Sequence, residues 1–269
     1  MIGYGNSVFL RRNTGPGIPP VDPDAQAFIT AAAITDPTQQ AAINTLVVDL
    51  KGYNVWSKMK ALYPFVGSTA SQQKFNLKDP RDLDAAFRLQ FLGGWTHSSN
   101  GATPNGTNAY ADTFIIPNTN LSLDSTHLSY YSRTNITGPQ VDLGVTETSK
   151  ACYLLYNYNN LAFKAINRLE AAGGSTYTPT TGFLIGSRNS STTEKYYHKG
   201  TLINTLTIAS VLRSTFKMFL GAYNNANVAS GYSSKQTAFA SIGDGLTDTE
   251  AANFYTAVQN FQVALSRNI

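Results

Sequence analysis

The chain has 269 residues, 42% of them hydrophobic and 13% charged, with a net charge of +4. That apolar content belongs to a globular protein rather than a disordered one, and the length can bury a full core in one or two domains. Lys and Arg are spread out, with no run beyond Arg11-Arg12. A nucleic-acid binder would gather them in a stripe, and a membrane span would need an apolar run of about 18 residues that does not occur.

So few charges leave the polar surface to Asn, Thr, Ser, Gln and Tyr, the composition of a chain with many turns and solvated strands. Such surfaces are common on extracellular and virion-surface proteins that meet carbohydrate. Cys152, the single cysteine, cannot form an internal disulfide and reads as a buried thiol in a strand. The N-terminus lacks the apolar stretch of a signal peptide, and release by lysis within a virus particle is one route outward that fits.

In chain order, Met1–Pro23 is apolar only at Val8-Phe9-Leu10, and Gly15-Pro16-Gly17 and Pro19-Pro20 forbid helix there. It reads either as a loose terminus or as an extended arm that orders on a partner. Asp24–Ala33 and Asp36–Tyr53 read as helices. Asp36 caps the second, Pro37 opens it, and Ile43, Leu46, Val47 and Leu50 form its apolar face. A third helix is expected over Val55–Leu62, ending before Pro64.

Strands follow. Tyr63–Val66 is a short candidate, and Phe87, Leu89 and Phe91 alternate with Arg88 and Gln90. Tyr110–Ile116 and Leu121–Leu123 lead to Thr126–Asn135, where Leu128, Tyr130 and Ser132 alternate with His127, Ser129, Tyr131 and Arg133. That period of two marks an inner strand of a β-sandwich. Val141–Val145, Ala151–Tyr158 and Leu161–Ile166 continue the pattern. Phe183–Asn189 and Met218–Asn224 echo each other, each followed by a Tyr-rich strand (Lys195–His198, Tyr232–Ile242), and read as adjoining edges of one sheet. Thr247-Asp248-Thr249-Glu250 is a capping box that opens an amphipathic tail helix bearing Ala251, Phe254, Tyr255, Val258, Phe261 and Leu265.

Short strands, Asn/Gly turns, Phe239–Gly243 and then Leu246–Tyr255 resemble the concanavalin A-like (laminin-G-like) jelly roll. In that family a Leu-Ser/Thr-Asp-x-Glu helix often follows the closing strand. Asp24–Asn135 is similar to a module of bacteriophage structural proteins, especially of phages with Bacteroidetes hosts, in the order Ala27–Ala32, Asp36–Lys51, Met59–Gly67, Asn76–Leu89 and His127–Asn135. The resemblance implies a virion component such as a spike, fibre tip or tail-associated protein that carries a lectin-like domain.

Jelly-roll glycosidases carry a Glu-x-Asp-x-x-Glu strand that is missing here, and Glu147, Glu170, Glu194 and Glu250 stand far apart. A carboxylate pair could still assemble from Asp112, Asp142 or Glu147. His97, His127 and His198 lack metal-ligand spacing, and His127 reads as a hydrogen-bonded wall residue. Asp79, Asp82 and Asp84 read as a calcium loop or as a turn whose charges pair with neighbours such as Arg81. No glycine breaks the stretch, so the turn is expected, and calcium is the one cofactor to weigh. Trp95, Tyr110, Tyr131, Tyr196, Tyr197, Tyr223 and Tyr232 are candidates to stack on sugar rings, with ordinary packing as the alternative for each.

The reading is therefore mainly β: a concanavalin A-like β-sandwich with an N-terminal helical segment and a C-terminal amphipathic helix. Residues 1–23 form the arm, 24–66 the helical segment and 67–269 the sandwich with its helix. The expected function is a virion structural protein that contacts a host-surface glycan or receptor and is not an enzyme. A polysaccharide-degrading hydrolase and a purely architectural protein are the alternatives. Tyr4, Val8, Phe9, Leu10, Arg11 and Arg12 would anchor it to a capsid, portal or tail protein. A homo-oligomer, assembled in the host cytoplasm and released by lysis, is expected.

Overall fold

Asp22 accepts the amide of Asp24, with Pro23 in the first turn, to open α1 (Pro23–Ala31). Asp36 does the same for Gln39 at the start of α2 (Pro37–Gly52). The computed structural model describes residues 21–136, 138, 140–155, 161–169, 174–176 and 181–269. The arm candidates Tyr4, Val8, Phe9, Leu10, Arg11 and Arg12 lie outside them. Two helical turns follow in α3 (Ala70–Gln73) and α4 (Pro117–Asn120). The tail is α5 (Asp248–Ala264), where Thr247 and Glu250 cap each other reciprocally as the spacing requires.

The strands are β1 (Met59–Tyr63), β2 (Gln90–Leu92), β3 (Trp95–Ser98), β4 (Gly101–Pro104), β5 (Tyr110–Asp112), β6 (Thr126–Ser132), β7 (Val141–Glu147), β8 (Lys150–Leu155) and β9 (Leu161–Arg168). Then come β10 (Gly174–Thr176), β11 (Gly182–Arg188), β12 (Thr193–His198), β13 (Thr201–Thr207), β14 (Phe219–Leu220), β15 (Tyr223–Asn225), β16 (Val228–Ser230) and β17 (Thr237–Gly243). They form two sheets of a jelly-roll-like β-sandwich. The first runs β13-β12-β11-β6-β17-β4-β3, with β1 also on β17. The second runs β10-β9-β8-β7-β14-β5-β2, with β15 and β16 beside β7.

The alternation of β6 sorts its side chains between two cores. Leu128 and Tyr130 point between the sheets, with Leu143, Val145, Cys152 and Ile166 opposite. Tyr131 points the other way, with Phe183 and Phe239, toward Phe28, Leu46, Phe254 and Phe261 of the helices. The layers are thus helices, first sheet, second sheet. Each large apolar side chain sealed here is worth about 1.5–3 kcal/mol.

Several expected elements are corrected. Val55–Leu62 is no helix: Trp56–Lys58 makes one tight turn, and the chain then runs extended as β1. Met59 and Leu62 reach the helix-side core while Ala61 and Tyr63 reach the inner one, a two-sided arrangement only a strand provides. The Phe87–Phe91 strand starts only at Gln90, because Phe87 sits at φ 59° after a turn over Asp84–Ala86. The Tyr110–Ile116 strand ends at Asp112, where the Asp112 carboxylate takes the Phe114 amide and Phe114 turns to φ 58°. Leu121–Leu123 follows the α4 turn without pairing, and β17 begins at Thr237 rather than Tyr232. The two echoing segments do not share a sheet: β11 lies inside the first and β14 inside the second.

His127 shows how a strand sealed on both faces treats a polar side chain. It is fully buried; its Nδ1 lies 2.6 Å from the Asp244 carbonyl and its Nε2 2.9 Å from Ser241 Oγ, which lies 2.6 Å from Ser129 Oγ. Burial lowers its pKa from 6.5 to about 4, with the Asp244 carbonyl opposing. Between those values the unfolded chain binds a proton that the folded chain refuses, so stability is intact above pH 6.5 and falls as pH drops toward 4. The loss from this residue is about 3 kcal/mol. Burial lowers His97 and His198 in the same sense. Urea unfolding at pH 7 and pH 4.5 is expected to show the loss, and His127→Gln to flatten it. An unchanged pH slope in that variant would rule out His127 as the source.

Candidate functional site

The central strands of the first sheet, β11, β6 and β17, are closed on both sides, so the candidate face on the sandwich is the outer side of the second. Ala111, Leu143, Cys152, Ile166 and Leu220 point into the core, and their neighbours therefore point out. Strand registers line these neighbours up in one row: Gln90, Asp112, Phe219, Gly144, Tyr153 and Ala165. Tyr110 stands beside the row, its ring centroid 4.6 Å from that of Phe219. Gln90 is exposed and Tyr110 and Tyr153 are half-buried, while Asp112, Phe219 and Ala165 are buried.

One end of the row is fixed electrostatically. Asp112 accepts from the Phe114 amide at 2.7 Å and from Lys217 Nζ at 2.9 Å. Lys217 Nζ lies 4.4 Å from the centre of the Phe114 ring, and the Arg88 guanidinium lies 5.7 Å from it. A phenylalanine at positive φ is strained, and the Asp112 carboxylate on its amide holds it there. At the other end, Tyr153 closes over Gly144: a Cβ on that glycine would meet Tyr153 Cβ at 2.2 Å. The accessible part of this face is the two half-buried tyrosines, Tyr110 and Tyr153, with hydrogen-bonding groups beside them, a chemistry suited to a flat, hydroxyl-rich ligand.

The predicted aromatics divide. Tyr110 belongs to this face. Trp95 closes the seam between edge strands, its Nε1 donating to the Tyr110 carbonyl at 3.2 Å and its ring 5.2 Å from Phe91 and 6.2 Å from His97. Tyr223, in β15, and Tyr232 are half-buried. Tyr131, Tyr196 and Tyr197 are corrected: they are buried and offer no ring to a ligand. The cause is burial of β6 and β12 from both sides. Tyr131 accepts from the Ile269 amide, Tyr196 donates to Glu194, and Tyr197 donates to Asp248. Tyr153 was missed, although Cys152-Tyr153-Leu154 carries the alternation that turns it outward.

The carboxylates are engaged separately. Asp142 pairs with Lys235 at 3.1 Å, both fully buried. Glu147 takes Lys150 at 2.7 Å and the Thr215 amide at 2.8 Å; these bonds outweigh its desolvation and bring it down to about 2. Glu194 takes Arg188 at 2.6 Å inside the sandwich. The acidic stretch weighed between a calcium loop and a turn has its carboxylates paired: Asp79 with Arg81, Asp82 with Lys74 and Asp84 with Arg88. Among the described residues no group of three or more His, Cys, Asp or Glu is placed to hold a metal ion. No helix among them is long and apolar enough to cross a membrane.

No protein family and no curated protein matches the sequence. Solved structures match the fold. Botulinum neurotoxin type C, whose cell entry depends on interaction with two ganglioside molecules, superposes with TM-score 0.54 at 8% identity, over 77% of this chain and 52% of the other. A mutant Trypanosoma rangeli sialidase displaying trans-sialidase activity gives 0.52 at 10% identity, over 81% and 39%. The binding domain of botulinum neurotoxin DC, in complex with rat synaptotagmin II, gives 0.50 at 10%, over 76% and 52%. The chain spans about two-fifths to half the length of these proteins, and at such identity the likeness is one of fold. It also corrects one expectation. The same sandwich occurs within the chain of an enzyme, the sialidase, so the missing carboxylate strand gives no ground for calling this protein a non-enzyme.

Gly144→Ala tests the geometry of the strip. The added methyl must push Tyr153 or the strand aside and is expected to cost about 1–3 kcal/mol. An unchanged melting temperature would mean that Tyr153 does not close over Gly144.

Proposed function

We propose that this chain is a lectin-like module that contacts a glycan, or a receptor bearing one, through the outer face of its second sheet. The observation that carries the reading is the pair of half-buried rings Tyr110 and Tyr153 on one face, with the buried Phe219 backing Tyr110 and with Gln90 and the Asp112–Lys217 pair at the edge. Aromatic faces stack on sugar C–H surfaces, and the rim groups can hold hydroxyls. The shared fold supports it, since one of the superposed proteins interacts with gangliosides. The finer form of the reading is a bacteriophage particle protein that presents this domain to the host surface. It is supported by the sequence resemblance over Asp24–Asn135 and by the low charge.

A glycan array probed with the full chain is expected to give binding. Tyr110→Ala and Tyr153→Ala are each expected to weaken it about tenfold, equivalent to about 1.4 kcal/mol. Leu202→Ala, an exposed change on the first sheet, is expected to leave it intact. A blank array, or binding that survives both tyrosine changes in folded protein, would sink the glycan reading. Absence of the chain from purified particles would sink the finer one.

A further inference from the structure

The two sheets end on the same side in short edge strands, β2 in the second and β3 in the first. Phe91 sits opposite Ala111 and His97 opposite Ala102, and both alanines belong to the inner core. Phe91 and His97 therefore point into the mouth between the sheets. Trp95 precedes His97 by two residues and shares its side of β3. The three rings meet there. Those of Phe91 and His97 lie 4.6 Å apart at 79°, and those of Phe91 and Trp95 lie 5.2 Å apart at 67°. All three are half-buried and keep part of their surface in water.

The cluster is pinned from behind. Trp95 Nε1 donates to the Tyr110 carbonyl at 3.2 Å, and the far edge of its indole lies against Gly221, where a Cβ would come within 2.9 Å of it. Gln73, only 2% exposed, holds His97. The Gln73 Nε2 donates to the Ser98 carbonyl at 2.8 Å, so its Oε1 is the atom 2.7 Å from His97 Nδ1. A carbonyl oxygen can only accept, which puts the imidazole proton on Nδ1. His97 Nε2 then carries a lone pair. It has no hydrogen-bond partner among the described residues and is not sealed from water. Burial lowers the pKa of His97 and keeps the ring neutral at pH 7.

The complement of this cluster is a hydrogen-bond donor with an apolar surface beside it. No carboxylate is bonded to Trp95, His97 or Gln73, so nothing in the cluster favours a cation as that donor. A pyranose offers a neutral donor and an apolar C–H face within one ring. The side chains are held in place before a ligand arrives, so little ordering entropy opposes binding.

We infer that the open edge of the sandwich between β2 and β3 is a second sugar site, where one hydroxyl of a pyranose donates to His97 Nε2 while its C–H face packs on Trp95 and Phe91. It rests on the lectin reading only for the class of ligand. Tyr110 and Tyr153 turn to the outer face of the second sheet, and these rings turn to its edge.

Trp56 and Trp95 are the two tryptophans, so Trp56→Phe leaves Trp95 as the single indole emitter of the full chain. Methyl glucoside, galactoside, mannoside and N-acetylglucosaminide are titrated against that variant. At least one is expected to give a saturable change in Trp95 emission. His97→Phe keeps a ring against Phe91 and removes the acceptor, and is expected to weaken this binding about tenfold. Phe91→Leu leaves the Gln73–His97 bond in place, is expected to weaken it several-fold, and serves if His97→Phe does not fold. No saturable response to any of these glycosides, or one that the folded variants leave unchanged, would overturn the inference. Array binding that falls with Tyr110→Ala and Tyr153→Ala while Trp95 stays silent would also overturn it, and would keep the outer face as the lectin site. A blank array beside a Trp95 response that needs His97 would uphold the edge site and sink the outer face instead.

Discussion

Burial of the first sheet's central strands on both faces is the constraint from which the rest follows. Every residue of β6, β11 and β17 is buried. A polar side chain on these strands has no water on either side and must find its partner within the protein. The His127–Ser241–Ser129 chain is one solution, and Ser187, which accepts the Leu246 amide and donates to the Leu246 carbonyl, is another. Arg267 is the extreme case. It is 1% exposed, and its five donors go to Gln262 Oε1 and to the carbonyls of Phe65, Ser99, Pro64 and Ala238. A guanidinium buried without a carboxylate is costly, and desolvation lowers its pKa to about 9. The full set of acceptors is what keeps it inside, and it ties the end of β1, the β3–β4 turn and β17 to the tail of α5.

The same constraint decides what could be read from the sequence. Caps are local, so α2 and α5 were legible from Asp36-Pro37 and from Thr247–Glu250. Alternation is local, so β6 was legible as a sandwich strand. But alternation reports two faces and does not say what covers each. Tyr131, Tyr196 and Tyr197 therefore looked like candidates for a ligand when they are wall residues between layers. Val55, Trp56, Met59 and Leu62 fit a helix spacing and also fit β1, and only the pairing of β1 with β17 chooses between them. The buried pair Asp142–Lys235 joins positions 93 apart in the chain, and no local signal could have brought it out.

The two sheets divide their work. Helices seal the first, and Trp95, Phe91 and His97 close the seam at one edge. The second has its inner face in the core, while its outer face keeps tyrosines half-exposed. Phe114 keeps a left-handed backbone, Asp112 is fixed by two donors, and Gly144 lets Tyr153 approach the strand closely. Strain of this kind survives where the surroundings over-determine it, and it is found more often at working surfaces than elsewhere.

The charge pattern narrows what such a surface can do. Only 13% of the chain is charged, and the ions near the strip are paired, Asp112 with Lys217 and Glu147 with Lys150. A paired, part-exposed ion contributes little net attraction to a charged ligand, because water and its partner already screen it. What remains is ring area and hydrogen-bonding groups at fixed positions. On the glycan reading proposed above, recognition on this face would come from stacking and directed hydrogen bonds rather than from ion pairing, and would keep its strength as salt rises. Among biological surfaces, those built of neutral, hydroxyl-rich rings meet that description most closely, which is why the strip on the second sheet, rather than the buried charges within the sandwich, is the place to look for the ligand.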